Sequence, residues 1–388
     1  MTSTLSAQFT FLNEADRLKS VDRANLLIDC SRPENSAEHS WHLALYALVF
    51  GDTAAPDVDV DRAIAMLLLH DIVEIDAGDH PIHEAHDWDA VAVAERKAAD
   101  RIFGLLPLPQ AKEFRGIWDE FEAAQTPTAK FAKRLDTAQP MYQTLCAPNP
   151  VPDHVEVVRG NLTTGRARPL AESWPEAYSH AKSMLDETAS TASTDYLLRL
   201  AFLLEACKLK SVYRATKLCD GSRHENSGEH SWHIALYAMT LASHAIKPVN
   251  IGRVIRMLLI HDLVEIDAGD TPIHGDFDPA EQEQIERLAA DRLFGLLPPA
   301  QGAKLRALWE EFEAAESDDA IFAKSIDRVQ PLASNLENGG GSWPDYNVSY
   351  AQLVGRVGDK IAKGAPAVWA EVDTRIRAHP WFAKEFQK

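Results

Sequence analysis

Two copies of one pattern run through this chain of 388 residues. EADRLKS from Glu14 returns as EACKLKS from Glu205, and SRPENSAEHSWHLALYA from Ser31 returns as SRHENSGEHSWHIALYA from Ser222, a spacing of 191 residues. The register holds through RIFGLLP and RLFGLLP (Arg101, Arg292), WDEFEAA and WEEFEAA (Trp118, Trp309), and FAKRLDTAQP and FAKSIDRVQP (Phe131, Phe322). Near Gly339 the second copy gains a GGGSW insert, after which the spacing is about 195 and Trp174 faces Trp369. A unit this long can bury a core of its own, so the repeat predicts two tandem domains, 1–187 and 195–388. The small, polar stretch DETASTAST, about 186–194, is the expected linker.

Each unit reads as helical. Residues 9–29 alternate apolar and charged at helical spacing, and Asn35 or Ser36 can cap a helix from Ala37 to about Phe50. Asp61 can cap an apolar helix that continues through His70 until Gly78 and Pro81 end it. Ala90 to Phe103, Pro109 to Ala124, and a helix from Thr126 through Asp136 to about Leu145 follow. β-branched runs of strand type are nearly absent, so the expected fold is all-α, with five to seven helices per unit.

Composition narrows the partners. A formal net charge of −19 repels phosphate backbones, which argues against a nucleic-acid polymer while leaving room for one small phosphate on local arginines. No apolar run reaches the ~18–20 residues of a membrane span, and the N-terminus lacks a basic region followed by an apolar one. A cytoplasmic location without membrane partners is expected. Cys30, Cys146, Cys207 and Cys219 show no CxxC spacing and read as reduced thiols.

The chemistry concentrates at HDIVEIDAGD from His70 and HDLVEIDAGD from His261. On a continuous helix His70 and Glu74 share a face and Asp71 stands about 100° round from His70. Burying an unpaired carboxylate among apolar residues costs several kcal/mol, and a divalent cation compensates it. A lone His-Asp pair on an apolar helix is more often a satisfied core pair; the duplication of the whole constellation turns the reading toward metal. Partners shared by both halves are His39 with His230 and Asp136 with Asp327.

The order His, His-Asp, distant Asp resembles the HD-domain superfamily of metal-dependent phosphohydrolases, twice over. ENxxEHSW, HDxxExxxGD and the late FAKxxD are similar to its 5'-deoxynucleotidase branch. The resemblance implies one divalent transition metal per domain (Mn, Fe, Co, Ni or Zn), bound by His39, His70, Asp71 and Asp136 and by His230, His261, Asp262 and Asp327. It implies Glu74 and Glu265 as catalytic glutamates, Asp79 and Asp270 as catalytic aspartates tied to sugar recognition, and Arg23 and Arg214 as phosphate clamps. It implies hydrolysis of a small phosphate monoester such as a (deoxy)nucleoside 5'-monophosphate. Single-unit relatives are expected to be homodimers, so the halves should pack as an intrachain pseudo-dimer, in a monomer or a higher homo-oligomer.

Ala24 and Ala215 stand where these deoxynucleotidases carry an aromatic residue after the arginine, which separates the nucleoside subsite from the family pattern. Arg32 and Arg223 are expected either to bind phosphate or to form a salt bridge at the helix entry. His42 and His233 are expected to hydrogen-bond in the core or to back the ligand histidines, Trp41 and Trp232 to pack, the acidic run Glu281 to Glu286 to be solvated, and His83 and His274 to lie solvated in a turn more readily than to act as ligands. Two other readings stand beside hydrolysis: a nucleotide- or metal-binding regulatory or scaffold protein with one or both sites inactive, and a di-iron oxygenase, which needs two further shared histidines per copy where one is present.

Overall fold

A computed structural model describes residues 3–81, 84–271, 273, 275 and 278–386. The first half comprises α1 (Thr4–Ala15), β1 (Asp22–Leu26), β2 (Pro33–Asn35), α2 (Ser36–Phe50), α3 (Val60–Leu69), α4 (Glu74–Ala77), α5 (Trp88–Phe103), α6 (Leu108–Ala123), α7 (Pro127–Leu145), α8 (Pro152–Thr163), α9 (Leu170–Ser173) and α10 (Pro175–Leu185). The second half repeats this order with α11 (Thr194–Ala206), β3 (Tyr213–Lys217), β4 (His224–Asn226), α12 (Ser227–Leu241), α13 (Ile251–Ile260), α14 (Glu265–Ala268), α15 (Pro279–Phe294), α16 (Pro299–Ala314) and α17 (Asp318–Glu337). It closes with α18 (Tyr350–Leu353), α19 (Asp359–Gly364), α20 (Pro366–Ala378) and α21 (Pro380–Ala383). The all-α architecture of two tandem helical bundles is the one expected.

Three local expectations are corrected. Residues 9–29 are not one helix: α1 gives way to a 3₁₀ turn over Asp16–Ser20, and β1 pairs antiparallel with β2. The ladder reverses the chain so that Asn35 arrives at the start of α2 with its amide free to cap. Asp59, not Asp61, caps α3, accepting from Arg62 N, and Asn250 does the same for α13. The apolar helix also does not run through His70. α3 stops at Leu69, and the segment 70–73 tightens, with Glu74 N donating to Asp71 O at 2.9 Å. Trp118 Nε1 on α6 donates to the His70 carbonyl at 3.1 Å, and Trp309 donates to His261 in the same way. A carbonyl taken by a partner outside the helix leaves the ladder at that point.

The halves pack as the expected pseudo-dimer, with α2 against α12. Each central helix carries a fully buried tryptophan whose ring nitrogen caps the other half: Trp41 Nε1 donates to Leu259 O at 3.1 Å, and Trp232 Nε1 to Leu68 O at 3.0 Å. Burying each indole removes ~200 Å² from water, worth at most about 5 kcal/mol. The leading helices cross over, α1 packing on α12 and α11 on α2. His42 Nε2 donates to Leu203 O and His233 Nε2 to Leu12 O, both at 2.9 Å. One continuous apolar core therefore serves both halves.

The helix entries are stitched across the same axis. Asn35 and Glu38 form a capping box, and Asn35 Nδ2 also donates to Glu229 Oε1 at 2.6 Å, while Asn226 Nδ2 donates to Glu38 Oε1 at 2.6 Å. A carboxylate buried at 0% exposure is satisfied here by donors from both halves.

Candidate active site

Four elements converge on each site. α2 contributes His39 one turn after its cap, the turn after α3 contributes His70 and Asp71, α4 contributes Glu74, and α7 contributes Asp136. Pro140 sits inside α7 and cannot donate to the Asp136 carbonyl, so the helix is loosened where it presents that aspartate; Pro331 stands in the same relation to Asp327. The ligand atoms of His39, His70 and Asp136 all lie within 4.8 Å of one another, as do those of His230, His261 and Asp262. Asp71 Oδ1 is 3.0 Å from His70 Nε2, and Asp327 Oδ1 is 3.1 Å from His230 Nε2 and 3.8 Å from His261 Nε2. The eight expected ligands are thus gathered into two groups, each from within one half.

The donor set suits a divalent ion. Both imidazoles of a site are anchored through Nδ1, His70 to Leu67 O at 2.9 Å and His39 to Gln139 Oε1 at 3.0 Å, which turns both Nε2 atoms toward the carboxylates. His70 Nε2 and His261 Nε2 are buried and have no hydrogen-bond partner among the described residues. A buried nitrogen lone pair aimed at carboxylates is what a metal ligand looks like and what a core histidine avoids. Burial and the charge of Arg214 pull against charge on His230, yet the neighbouring carboxylates of Asp327 and Glu225 carry it up to about 9, a sign of how strongly the site calls for positive charge.

Around the ligands stand the expected catalytic residues. Arg23 Nη1 is 2.7 Å from Asp71, 3.7 Å from Glu74 and 3.8 Å from Asp79; Arg214 Nη1 is 2.7, 3.6 and 3.6 Å from Asp262, Glu265 and Asp270. Ser36 Oγ donates to Glu74 Oε2 at 2.5 Å, and Ser227 Oγ to Glu265 Oε2 at 2.5 Å. Burial, followed by the charge of Asp71, pushes the Glu74 carboxyl well above the usual range; burial and Asp262 do the same to Glu265. A carboxyl with raised proton affinity beside a metal-type donor set is suited to proton transfer.

Other expectations move. Arg32 is not brought to the site: its guanidinium is bound to Glu38, 2.5 Å from Oε1, and donates to Lys210 O at 2.9 Å in the interface, and Arg223 mirrors it with Glu229 and Lys19 O. Their reading as substrate-binding residues gives way to the salt bridge, because Glu38 and Glu229 are buried and need a counter-charge. The run Glu281 to Glu286 is largely exposed, as expected, and Gln282, Glu283 and Glu286 also line the second site's cavity. His83 and His274 lie outside the described residues.

A layer behind the ligands was not singled out in the sequence. Glu34 Oε2 lies 3.6 Å from His39 Nδ1, and Glu34 Oε1 takes a 2.5 Å hydrogen bond from Lys210 Nζ, a residue of the other half. Lys210 also donates to Gln143 at 3.0 Å and faces His42 Nδ1 at 3.2 Å. In the second site Lys19 Nζ donates to Glu225 Oε2 at 2.9 Å, 3.1 Å from His233 Nδ1. All four side chains of these two pairs are 0% exposed. Glu34, Gln139 and Lys19 recur at the repeat spacing as Glu225, Gln330 and Lys210, which is the signal that could have found them.

A family model for the HD domain matches residues 15–178 and again 206–369. The chain belongs to the HD-domain family. One stretch of this HD-domain chain is similar to the human 5'-deoxynucleotidase HDDC2, at 30% identity over 134 residues, 34% of this chain and 64% of that protein. The Schizosaccharomyces pombe 5'-deoxynucleotidase hdd1 is also 30% identical, over 138 residues, 34% of this chain and 68% of the relative. This HD-domain chain thus spans just under two thirds of the human relative's length. A solved structure of a predicted metal-dependent phosphohydrolase from Magnetospirillum magnetotacticum MS-1 is 46% identical, covering 49% of this chain and 96% of its own, with a TM-score of 0.46. Among the described residues no helix is long and apolar enough to cross a membrane.

Proposed function

We propose that this HD-domain chain is a metal-dependent phosphohydrolase cleaving a small phosphate monoester, a (deoxy)nucleoside 5'-monophosphate above all, at both sites. One observation supports the reading most: a single arginine spans Asp71, Glu74 and Asp79 beside two inward-turned imidazoles, and the second half repeats this with Arg214. A cation that can clamp phosphate, a carboxyl with raised proton affinity and a metal-type donor set then share one cleft. The relatives named as 5'-deoxynucleotidases point the same way.

In this reading His39, His70, Asp71 and Asp136 hold the ion. A bound divalent cation supplies positive charge to the phosphoryl oxygens and makes water a better nucleophile at neutral pH. Arg23 binds the phosphate and neutralises charge that builds on its oxygens. Glu74, oriented by Ser36, exchanges a proton with the attacking water, and Asp79, 3.8 Å from Arg23 Nη1, serves the leaving oxygen or the sugar. Two imidazoles and two carboxylates favour Mn, Fe, Co, Ni or Zn over Mg.

A phosphate-release screen of nucleoside monophosphates and other small phosphate esters with Mn, Co, Ni, Zn and Mg in turn tests it. Release from a nucleoside 5'-monophosphate with a transition metal is expected. Chain carrying two metal equivalents and releasing phosphate from nothing in the screen would return it to the regulatory reading.

A further inference from the structure

Beyond the shared ligands the two sites differ. Arg328 follows the aspartate Asp327 on α17, where α7 has Thr137 after Asp136. Thr137 Oγ bonds back to Lys133 O at 2.9 Å and brings no charge. The GGGSW insert then reverses the second half's chain through Gly339, Gly340 and Gly341, at φ 79°, 115° and 49°, conformations open to glycine. It anchors on the fully buried Trp343, and α19 packs against α17. These pieces enclose a cavity of about 920 Å³ that runs from His261, Asp262 and Glu265 to Arg328, Lys360 and Trp343.

Most cations on this cavity are already matched. Arg214 is tied to Asp262, Lys324 to Glu313 at 2.9 Å, and Arg287 to Glu283 at 2.8 Å. Arg328 and Lys360 have no ion pair among the described residues, and the buried Arg328 Nε has no hydrogen-bond partner there. The Lys360 ammonium is held below its ordinary value, first by the charge of Arg328, then by burial and Lys324. Like charges gathered at one end of a cavity, with a buried donor unmet, are relieved by an anion. Glu286 and Glu313 also line the cavity, with Glu313 paired to Lys324, so an anion is steered to Arg328 and Lys360. In the first half two arginines follow α8: Arg166 is stacked 4.3 Å over the Trp88 ring, and Arg168 is exposed.

We propose that the second site takes a doubly phosphorylated small molecule, cleaving one phosphate near His261 and Asp262 while Arg328 and Lys360 hold the other, and that the first site has no such preference. This rests on the phosphohydrolase reading of the sites.

The full chain with Glu74→Gln, its first site silenced, is assayed with deoxyadenosine 5'-monophosphate and deoxyadenosine 3',5'-bisphosphate under Mn. The expected result is a kcat/KM at least tenfold higher for the bisphosphate, a preference that Arg328→Thr or Lys360→Gln reduces at least tenfold and that the Glu265→Gln chain lacks. Lys360 is exposed, so its variant tests the idea even where Arg328→Thr folds poorly. Calorimetry on the Mn-loaded Glu74→Gln, Glu265→Gln chain reads the same preference as binding. If no phosphate is released from either compound, the hydrolase reading falls while the calorimetric preference still decides the subsite. Equal binding of the two compounds, or variants that weaken both alike, would overturn it.

Discussion

Replacing Lys210 with Met should damage the first site although Lys210 belongs to the second half. The substitution keeps the aliphatic stem and removes the ammonium that stands 2.5 Å from Glu34, both side chains being 0% exposed. Among the described residues Glu34 then keeps only Gln139 Nε2 at 3.5 Å and His39 Nδ1 at 3.6 Å. Stranding a buried charge in this way costs about 3–5 kcal/mol, against a total margin of about 5–15 kcal/mol for a typical protein. Urea unfolding should show the loss as a lower midpoint with an unchanged slope. Adding Glu34→Gln removes the stranded charge and should recover at least about 2 kcal/mol, a coupling read by the double-mutant cycle. Because Glu34 and Gln139 orient His39, metal affinity at the first site should fall about 10–100-fold while the second site keeps its own. Lys19→Met should do the reverse. A loss under about 1 kcal/mol, strict additivity with Glu34→Gln, or damage confined to the second site would refute the argument.

Three further outcomes are expected. Glu74→Gln with Glu265→Gln should keep two metals per chain by elemental analysis while turnover falls about 10²-fold or more; parental turnover would make the glutamates structural. His70→Ala should empty the first site and leave the second filled, since the ligands of each lie within one half, and loss of both ions would show the sites to be coupled. Burial, then the charge of Lys210, holds His42 well below its ordinary value, and burial and Lys19 bring His233 to about 3. These groups stay neutral when folded and protonate when unfolded below about pH 6.5, which costs stability as pH falls from 6.5 toward 5, by up to about 1.4 kcal/mol per pH unit for each histidine. The raised carboxyls of Glu74 and Glu265 act in the opposite sense, so the loss should be read in the metal-free Glu74→Gln, Glu265→Gln chain, where that opposition is removed. Denaturation midpoints that do not change across that window would contradict this.

The sequence was informative wherever structure is local or repeated. α2 is legible because Asn35 and Glu38 form a capping box ahead of an apolar run, and the metal-type residues because His, His-Asp and Asp recur in order at one spacing. What was not legible depends on partners far along the chain. An apolar run into His70 reads as unbroken helix until Trp118, 48 residues on, takes the His70 carbonyl. Arg32 reads as a phosphate ligand as well as a salt bridge until Glu38 is seen to be buried between the halves. Lys19 and Lys210 look like surface residues of a charged segment, and only the crossing of α1 and α11 brings them against the opposite carboxylates.

The crossing of α1 and α11 has a consequence for dilution. A two-fold assembly of separate copies falls apart as its concentration drops below its dissociation constant, and its stability cannot be stated without that concentration. Here the partner of each site is tethered through the residues between α10 and α11, and a short tether holds two surfaces together at an effective concentration of order millimolar however little protein is present. Both sites therefore stay complete in a cell that makes only a few molecules of the chain.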